Sequence, residues 1–232
     1  MRVAIMQPYF LPYIGYFQLI AAVDMFVVYD NIKYTKKGWI NRNRMLLNGT
    51  DVKFSLPLKQ DSDALNVVER ELAADFNRDK LLNRFSGAYA RAPYFALTFP
   101  LLERIVRDEE QNLFEFIHRS LVETCNYLGI GTKICKSSEI NVDHELKAQD
   151  KVIALSRALA ADCYINAIGG TDLYDRDAFR AQGIKLQFLR AKPFEYAQFG
   201  APFVACLSIV DVMMFNSPEQ VRAAVRDGYK LV

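Results

Sequence analysis

Five positively charged side chains crowd into one short stretch of this sequence, between residues 33 and 44. No Asp or Glu lies between them, and they are Lys33, Lys36, Lys37, Arg42 and Arg44. Such a density of cations suits phosphate or carboxylate groups, to which arginine adds a planar, two-pronged donor geometry. A solvated basic loop is the alternative interpretation. The stretch is therefore the first candidate for a binding site.

The only tryptophan of the chain, Trp39, lies in the same stretch with asparagines on its carboxyl side. A sugar or a nucleobase needs a flat apolar face together with forked donors and acceptors, which an indole and an amide supply. We therefore assign one set of residues in this stretch to substrate binding: Lys36, Lys37, Trp39, Asn41, Arg42, Asn43 and Arg44.

A polar and aromatic segment precedes the basic stretch, at residues 7–16. Pro8 and Pro12 cannot donate a backbone N–H to a sheet, so this segment is expected to be a stiff, irregular loop after the apolar run 3–6. Its amphipathic side chains join the predicted substrate-binding set, with ordinary packing as the alternative: Gln7, Tyr9, Tyr13 and Tyr16.

Two carboxylates are the candidates for proton transfer. Asp30 directly follows the apolar run 25–29, and Asp211 lies inside the apolar run SIVDVMMF. A buried carboxylate must be paired or hydrogen-bonded. For Asp211 we therefore weigh a salt bridge to the basic stretch against a raised pKa that serves proton transfer. Both residues are predicted to be catalytic.

A short glycine-containing segment is the candidate for cofactor binding. Gly169, Gly170 and Thr171 follow another apolar run, and backbone N–H groups at such a place bind anions. An ordinary turn is the alternative. The sequence contains two histidines, His118 and His144, neither with a second ligand at helical spacing, so no metal site is predicted. We interpret them as a helix residue and a surface residue.

Short apolar runs alternate with amphipathic segments along the chain. The runs predict strands at 3–6, 25–29, 134–136, 163–168 and 184–189. The amphipathic segments predict helices at 16–22, 148–161, 176–182, 208–215 and after Pro218. This alternation is typical of an α/β fold with a doubly wound, mainly parallel, Rossmann-like sheet. Such sheets bind ligands at the carboxyl ends of their strands, which is where the loops holding Gln7 and Asp30 would lie.

Two features interrupt the alternation. Asn48-Gly49 predicts a β-hairpin, whose strands we expect to extend the sheet, and residues 67–72 fit either a strand or a helix. Helical patterns follow at 95–107, at 113–128 and in a segment with Asn77 as its cap and Pro93 as its stop. We interpret residues 73–130 as a mainly helical insertion or cap within a single domain spanning 1–232.

Composition limits the class of protein. With 232 residues, 51% of them hydrophobic, the chain can bury one sizeable core. Its net charge of +2 provides no overall positive field, which argues against nucleic acid as the partner. No apolar run is long enough to span a bilayer and no signal peptide is visible, so we expect a cytoplasmic protein without a membrane span.

The run QPYFLPYIGYF, followed by DMFVVYD and KKGWINRNR, resembles the signature of the WbqC-like family of bacterial proteins. Fainter similarity continues to SIVDVMMF near the carboxyl end. The resemblance implies a role in the biosynthesis of surface polysaccharide, such as the O-antigen of lipopolysaccharide, in which a glycine transferase activity has been proposed for the family.

The opening of the chain also resembles that of adenylate-forming enzymes such as the pantothenate synthetases. Those enzymes carry an H-x-G-H motif where this chain has Tyr13-Ile14-Gly15-Tyr16. Tyrosine donates a hydrogen bond to a phosphate oxygen but carries no imidazolium charge. This likeness is an analogy of fold, which does not determine function.

The first functional hypothesis is an N-acyltransferase that joins a small acyl or aminoacyl group, such as glycine, to the amino group of a nucleotide-linked sugar. The acyl group must arrive activated, as an ATP-derived adenylate, an acyl-CoA thioester or an aminoacyl ester. No nucleophile with an adjacent base is visible, so direct transfer is expected.

A non-catalytic protein that binds a sugar nucleotide or an assembly partner is the second hypothesis. Binding of single-stranded RNA through KYTKKGWINRNR is the third.

Overall fold

The computed structural model describes residues 1–200 and 202–232. Six strands form one sheet, in the order β5-β2-β1-β6-β7-β8, and two form a separate sheet, β3-β4. Their bounds are β1 Arg2–Met6, β2 Met25–Val28, β3 Arg42–Leu47, β4 Thr50–Ser55, β5 Lys133–Lys136, β6 Cys163–Ala167, β7 Lys185–Ala191 and β8 Tyr229–Leu231. The large sheet is parallel except for β8, which pairs antiparallel with β7.

Helices cover both faces of the large sheet. Along β1, Val3 and Ile5 face one apolar cluster, whereas Ala4 between them faces the other. This double burial explains why the strands are apolar on successive residues, as parallel strands are. The helices are α1 Ile14–Ala21, α2 Arg78–Tyr89, α3 Phe95–Arg107, α4 Leu113–Leu128, α5 Ala148–Ala158, α6 Arg176–Ala181, α7 Ile209–Phe215 and α8 Pro218–Asp227. The predicted mixed α/β fold with a mostly parallel sheet is confirmed.

Each face of the sheet has its own set of helices. The cluster that contains Val3 and Ile5 also contains Leu155 of α5 and Phe179 of α6. The opposite cluster contains buried residues of α1 and α8, and it extends without interruption through α2, α3, α4 and α7. The helices of the segment 73–130 therefore share one buried core with α1. None of the helices in the described residues combines the length and the apolar character needed to cross a membrane.

The hairpin forms where Asn48-Gly49 predicts it, but it does not extend the sheet. Asn48 and Gly49 have φ of 51° and 78°, the left-handed values of a tight hairpin turn. The β3-β4 pair stands alone and buries Met45 and Phe54 in the core shared with the helices. The expected extension was wrong because a strand pattern shows which side chains are buried and not which element covers them.

Other boundaries also differ from the sequence-based prediction. Residues Arg42 to Arg44 belong to β3, so the basic stretch ends inside a strand. The ambiguous segment 67–72 contains a short 3-10 helix, Val67–Glu69, and β8 was not predicted. Asn77 caps α2 as predicted, since its side-chain oxygen accepts a hydrogen bond from the Lys80 N–H at 2.8 Å.

The sheet changes its winding direction between β1 and β6, and there the two strands separate. They are in register only at Arg2–Cys163 and Val3–Tyr164. Beyond that point, the Ile5 carbonyl accepts a hydrogen bond from the Tyr164 hydroxyl at 3.4 Å. Open α/β sheets bind ligands beyond the carboxyl ends of their strands at such a reversal of strand order. This place is called the switch point below.

Candidate functional site

Exposed residues follow both strands at the switch point. Gln7 comes directly after β1 and its side chain is exposed. Gly169 and Thr171, which follow β6, are also exposed. The loops after β2 and β5 lie on the β1 side, because β2 neighbours β1 and β5 neighbours β2. The carboxyl edge of the sheet therefore carries loops from four separate parts of the chain, and the switch point lies among them.

An aromatic surface lies beyond the end of β1. Trp39 is 39% exposed, and its ring lies 6.5 Å from that of Tyr9, centroid to centroid. The Arg44 guanidinium lies 5.8 Å from the centre of the Trp39 ring, which is cation–π distance. Burial, together with Tyr13, raises the pKa of Tyr9, so its hydroxyl keeps its proton and donates it to the Asn43 side chain at 3.1 Å.

The side-chain amides of Asn41 and Asn43, both predicted to bind substrate, form hydrogen bonds to other groups of the protein. Asn43 is 1% exposed, and its amide N–H₂ donates to the Leu11 carbonyl at 2.5 Å. Asn41 donates to the Leu56 carbonyl at 2.8 Å and accepts from the Tyr34 hydroxyl at 2.9 Å. These amides hold the loop 7–13 and the hairpin in place. Their assignment to direct substrate contact stays a prediction, to which the structure adds a positioning role.

Tyr16 has a similar internal role. It is 3% exposed, and its hydroxyl donates to the Gln7 carbonyl at 2.9 Å. Tyr13, next to the start of α1, is partly buried, and burial raises its pKa. Of the tyrosines predicted to bind substrate, Tyr9 and Tyr13 therefore have partly exposed side chains, whereas Tyr16 supports the backbone that carries Gln7.

The cations of the basic stretch have partners that the sequence did not show. Lys36 forms a 2.8 Å ion pair with Asp63, and Arg44 forms a 3.1 Å pair with Asp51. Arg42 donates from Nε to the Gly38 carbonyl at 2.6 Å, which closes its own loop. Lys37 is exposed. The ion pairs with Asp63 and Asp51 reduce the positive charge available to a ligand, although both pairs are accessible to water.

Asp30, at the carboxyl end of β2, is 2% exposed and fully hydrogen-bonded. It accepts from the Ser137 hydroxyl at 2.7 Å, from the Ser138 N–H at 3.0 Å and from the Ser138 hydroxyl. Burial alone would raise the pKa of Asp30, but the bonds from Ser138 and Ser137 lower it below its ordinary value. The carboxylate therefore stays ionised at neutral pH. Ser138 is exposed, so its hydroxyl connects Asp30 to the surface.

A second polar cluster, beside Asp30, was not found by sequence reasoning. The Lys151 ammonium donates to the Asn31 side-chain oxygen and to the His144 carbonyl, both at 3.2 Å. The Asn31 amide nitrogen lies 2.9 Å from Nδ1 of His144. Lys151 is 6% exposed. Burial lowers its pKa, against the charges of Asp30 and Glu145, which raise it. We call Asn31, His144 and Lys151 the β2–α5 cluster.

One signal for this cluster was present in the sequence. Lys151 lies four residues before Leu155 and beside Val152, on the inward face of the predicted helix. A lysine at an inward position is unusual and points to a buried polar network. His144, interpreted as a surface residue, is half-buried and bonded to Asn31.

The predicted cofactor segment forms a 3-10 helix, Ile168–Leu173, directly after β6. Gly170 is buried against Asn166, whose side chain would lie 3.3 Å from a Cβ at that position. The Thr171 hydroxyl donates to the Ile168 carbonyl at 2.6 Å. A Cβ on Gly169 would meet open space. A role for Gly169, Gly170 and Thr171 in cofactor binding stays a prediction.

Asp211, on α7, makes no salt bridge to the basic stretch within the part of the chain that the structure describes, so of its two alternatives the salt bridge was wrong. The residue is 0% exposed and accepts from the Tyr89 hydroxyl at 2.9 Å and from the Tyr196 hydroxyl and the Gln198 amide, each at 2.7 Å. Burial raises the pKa of Asp211, and these three donors oppose the shift. Neutral donors from α2 and from the segment before α7 stand where the cations were expected.

Tyr196 links Asp211 to a depression on the surface. The depression has a volume of about 630 Å³, and Phe194, Phe199 and Phe215 contribute aromatic walls beside Tyr196. Among the residues that the structure describes, no group of three His, Cys, Asp or Glu side chains is arranged to hold a metal ion.

Comparison with known proteins places the chain in a family. The model of the WbqC-like protein family matches residues 7–223. The chain is also 28% identical over 220 residues to the uncharacterized protein Rv1507c of Mycobacterium tuberculosis (strain ATCC 25618 / H37Rv), a match that covers 93% of each protein. No solved structure matches the chain. The family match spans the switch point, the aromatic surface and α7, and the chain belongs to the WbqC-like protein family.

Proposed function

We propose that the chain is an enzyme that transfers a small acyl or aminoacyl group to the amino group of a nucleotide-linked sugar in surface-polysaccharide biosynthesis. The amine lone pair forms the new C–N bond at the activated carbonyl carbon. The bond from that carbon to the leaving oxygen or sulfur breaks, and the adenylate, thiol or ester alcohol departs. One amine proton must pass to a base. The reaction class follows from the resemblance to the family, and the ligand class from the site.

The observation that supports the ligand class is the aromatic surface beyond the end of β1. Trp39 and Tyr9 present two neighbouring aromatic rings, tilted by 41° to each other, and the Arg44 guanidinium lies over the indole. A sugar ring or a base packs on such a surface, while the guanidinium suits a phosphate oxygen. This combination fits a nucleotide-linked sugar better than a purely apolar or a purely anionic ligand.

Ser138 and Asp30 provide a path for the amine proton. The Ser138 hydroxyl is exposed and donates to the buried Asp30 carboxylate. When Ser138 accepts a proton from the attacking amine, it passes its own proton to Asp30, which stays ionised at neutral pH until that moment. The proposal thus assigns proton acceptance to Asp30 through Ser138, in the manner of general base catalysis.

The test is amide formation by the purified chain from amino-sugar nucleotides together with ATP and glycine, acyl-CoA or charged tRNA, followed by mass spectrometry. Turnover is expected to fall by about 100-fold or more in Asp30→Asn and in Ser138→Ala, the range that general base catalysis contributes. Ser120→Ala, a buried helix position, is the matched control. Absence of product from every donor and acceptor pair would refute the transferase.

A non-catalytic sugar-nucleotide-binding protein is the second candidate, and one observation favours it. Both predicted catalytic carboxylates, Asp30 and Asp211, are buried and make three hydrogen bonds each with protein donors. Groups held in this way are often structural. This candidate predicts saturable binding of a sugar nucleotide that weakens in Trp39→Ala, remains in Asp30→Asn and yields no product.

A further inference from the structure

The orientation of the Asn31 side chain decides the chemistry of the β2–α5 cluster. An amide side chain has an acceptor oxygen and a donor nitrogen, and rotation by a half-turn exchanges them. One end of this amide lies 3.2 Å from the Lys151 ammonium and 2.8 Å from the Ser137 hydroxyl. The other end lies 2.9 Å from Nδ1 of His144. Whichever atom faces Lys151, the other faces His144.

Lys151 and Ser137 favour opposite orientations of this amide. The single hydroxyl proton of Ser137 faces two acceptors, Asp30 at 2.7 Å and Asn31, so Ser137 alone would be better satisfied by the amide nitrogen. The Lys151 ammonium has only donors, and an amide nitrogen facing it would place donor against donor. Because Lys151 is charged and 6% exposed, the bond from its ammonium outweighs the preference of the neutral hydroxyl.

The orientation of Asn31 fixes the protonation of His144. With its oxygen towards Lys151, the Asn31 nitrogen donates to Nδ1 of His144. Nδ1 therefore carries no proton, and the imidazole is neutral with its proton on Nε2. Within residues 1–200 and 202–232, Nε2 of His144 makes no hydrogen bond and is not among the buried atoms. The cluster thus presents one oriented N–H donor to solvent, beside the carboxyl ends of β2 and β5.

We propose that His144 donates a hydrogen bond from Nε2 to an acceptor oxygen of the substrate, and that Lys151 is the positioning residue that fixes this tautomer through Asn31. The inference rests on the proposed function for the substrate class. The acceptor is an oxygen that carries negative charge, either on a phosphoryl group or on the carbonyl during acyl transfer. A neutral imidazole with a fixed proton acts here as a donor and not as a base.

The tautomer is tested by nitrogen NMR of the chain labelled with ¹⁵N-histidine at mildly alkaline pH. The sequence has two histidines, and His144→Gln identifies the signals of His144 by their loss. The wild type is expected to show the Nε2–H form. Lys151→Met removes the ammonium, so the Asn31 amide should rotate and place its nitrogen towards Ser137. Its oxygen then faces His144, which should convert to the Nδ1–H form. Lys151→Arg should restore the wild-type pattern, and Lys147→Met, exposed on the same loop, should leave it unchanged.

The donor role is tested by substitutions at His144 itself. His144→Phe removes the donor, whereas His144→Gln keeps an N–H group of similar reach. A phosphoryl acceptor predicts that His144→Phe weakens binding of uridine diphosphate and raises KM by about tenfold. A carbonyl oxyanion predicts an unchanged KM and a kcat about tenfold lower, and in either case His144→Gln recovers most of the loss. Equal binding and equal turnover of wild type and His144→Phe would overturn the donor role.

The outcomes separate this inference from the proposed function. An Nδ1–H form in the wild type, or an unchanged Nε2–H form in Lys151→Met, overturns the positioning role of Lys151 whatever the reaction is. Absence of amide product refutes the transferase and leaves the tautomer result standing. Amide formation by His144→Phe with unchanged KM and unchanged kcat refutes the donor role and leaves the transferase intact.

Discussion

Replacement of Asp30 by asparagine tests the network at the carboxyl end of β2 by removing charge at nearly constant shape. The carboxylate is 2% exposed and accepts three hydrogen bonds from Ser137 and Ser138. Asparagine keeps one acceptor oxygen. Its amide nitrogen can donate to the Ser138 hydroxyl, which then reverses its own role. The substitution therefore leaves no polar atom in the network without a partner.

The loss of stability expected for Asp30→Asn follows from two hydrogen bonds. The Ser137 hydroxyl and the Ser138 N–H donate them, and the remaining side-chain oxygen accepts both. A hydrogen bond to a charged group contributes about 1.5–3 kcal/mol and one between neutral groups about 1 kcal/mol. Each of the two bonds is therefore weakened by roughly 1 kcal/mol when the carboxylate becomes an amide. Asp30→Asn should lower the free energy of unfolding by about 2 kcal/mol at neutral pH. Asp24→Asn is the matched control. Asp24 lies just before β2 and is exposed beside Arg2, so we expect a loss below about 1 kcal/mol.

The dependence on pH distinguishes charge from shape. The pKa of folded Asp30 lies below its ordinary value near 3.8, so its contribution is complete above that pH and is lost as the pH falls through the folded pKa. Urea unfolding followed by circular dichroism should give the full penalty at about pH 7 and about pH 5, and a smaller one near pH 3. The same penalty at all three values would show that shape and not charge is responsible. A penalty below about 0.5 kcal/mol at neutral pH would show that the network adds little to stability.

Four further substitutions test other parts of the molecule. The pH dependence of stability should change in Asp211→Asn in the opposite sense to Asp30→Asn. Burial raises the pKa of Asp211, so this carboxyl makes the wild type less stable as the pH rises above 3.8, and asparagine removes that loss. Urea unfolding of both proteins across that pH range measures the difference. Gly228→Ala should lower the thermal midpoint because its Cβ would overlap the Ala224 carbonyl oxygen, whereas Gly87→Ala, in open space on α2, should stabilise by about 0.5–1 kcal/mol. Trp39→Ala should weaken sugar-nucleotide binding at least tenfold in titration calorimetry with little change in stability, since the ring is 39% exposed.

Much of the fold could be predicted because its signals are local. Successive apolar residues in β1 reflect burial on both faces, and Asn48-Gly49 supplies the backbone conformation that a tight hairpin turn requires. The cap at Asn77 is likewise local, because its hydrogen bond joins it to the N–H of Lys80, three residues later. The docking of the hairpin was not predicted, because its buried side chains Met45 and Phe54 would be equally buried against a sheet or against helices.

The candidate site was predicted less completely because charge pairing is not local. No acidic residue lies among the cations of the basic stretch, yet Asp63 and Asp51 reach Lys36 and Arg44 from further along the chain. The environment of Asp211 was reduced to two alternatives, of which the salt bridge was wrong. The partners that it has instead, such as Tyr89 at a separation of 122 residues, carry no sequence signal that points to it.

The β2–α5 cluster shows how strand order controls what a sequence reveals about a site. Asn31 is separated from His144 by 113 residues and from Lys151 by 120, yet all three meet because β5 lies beside β2. Alternating strands and helices predict that ligand loops share the carboxyl edge of a parallel sheet, but they do not give the order of the strands along that edge. The loop after β5 was therefore left out of the candidate site, although the chain follows it with a lysine on the inward face of α5. A lysine at an inward helix position after a strand needs an acceptor from a neighbouring loop, and here the loop after β2 supplies it through Asn31.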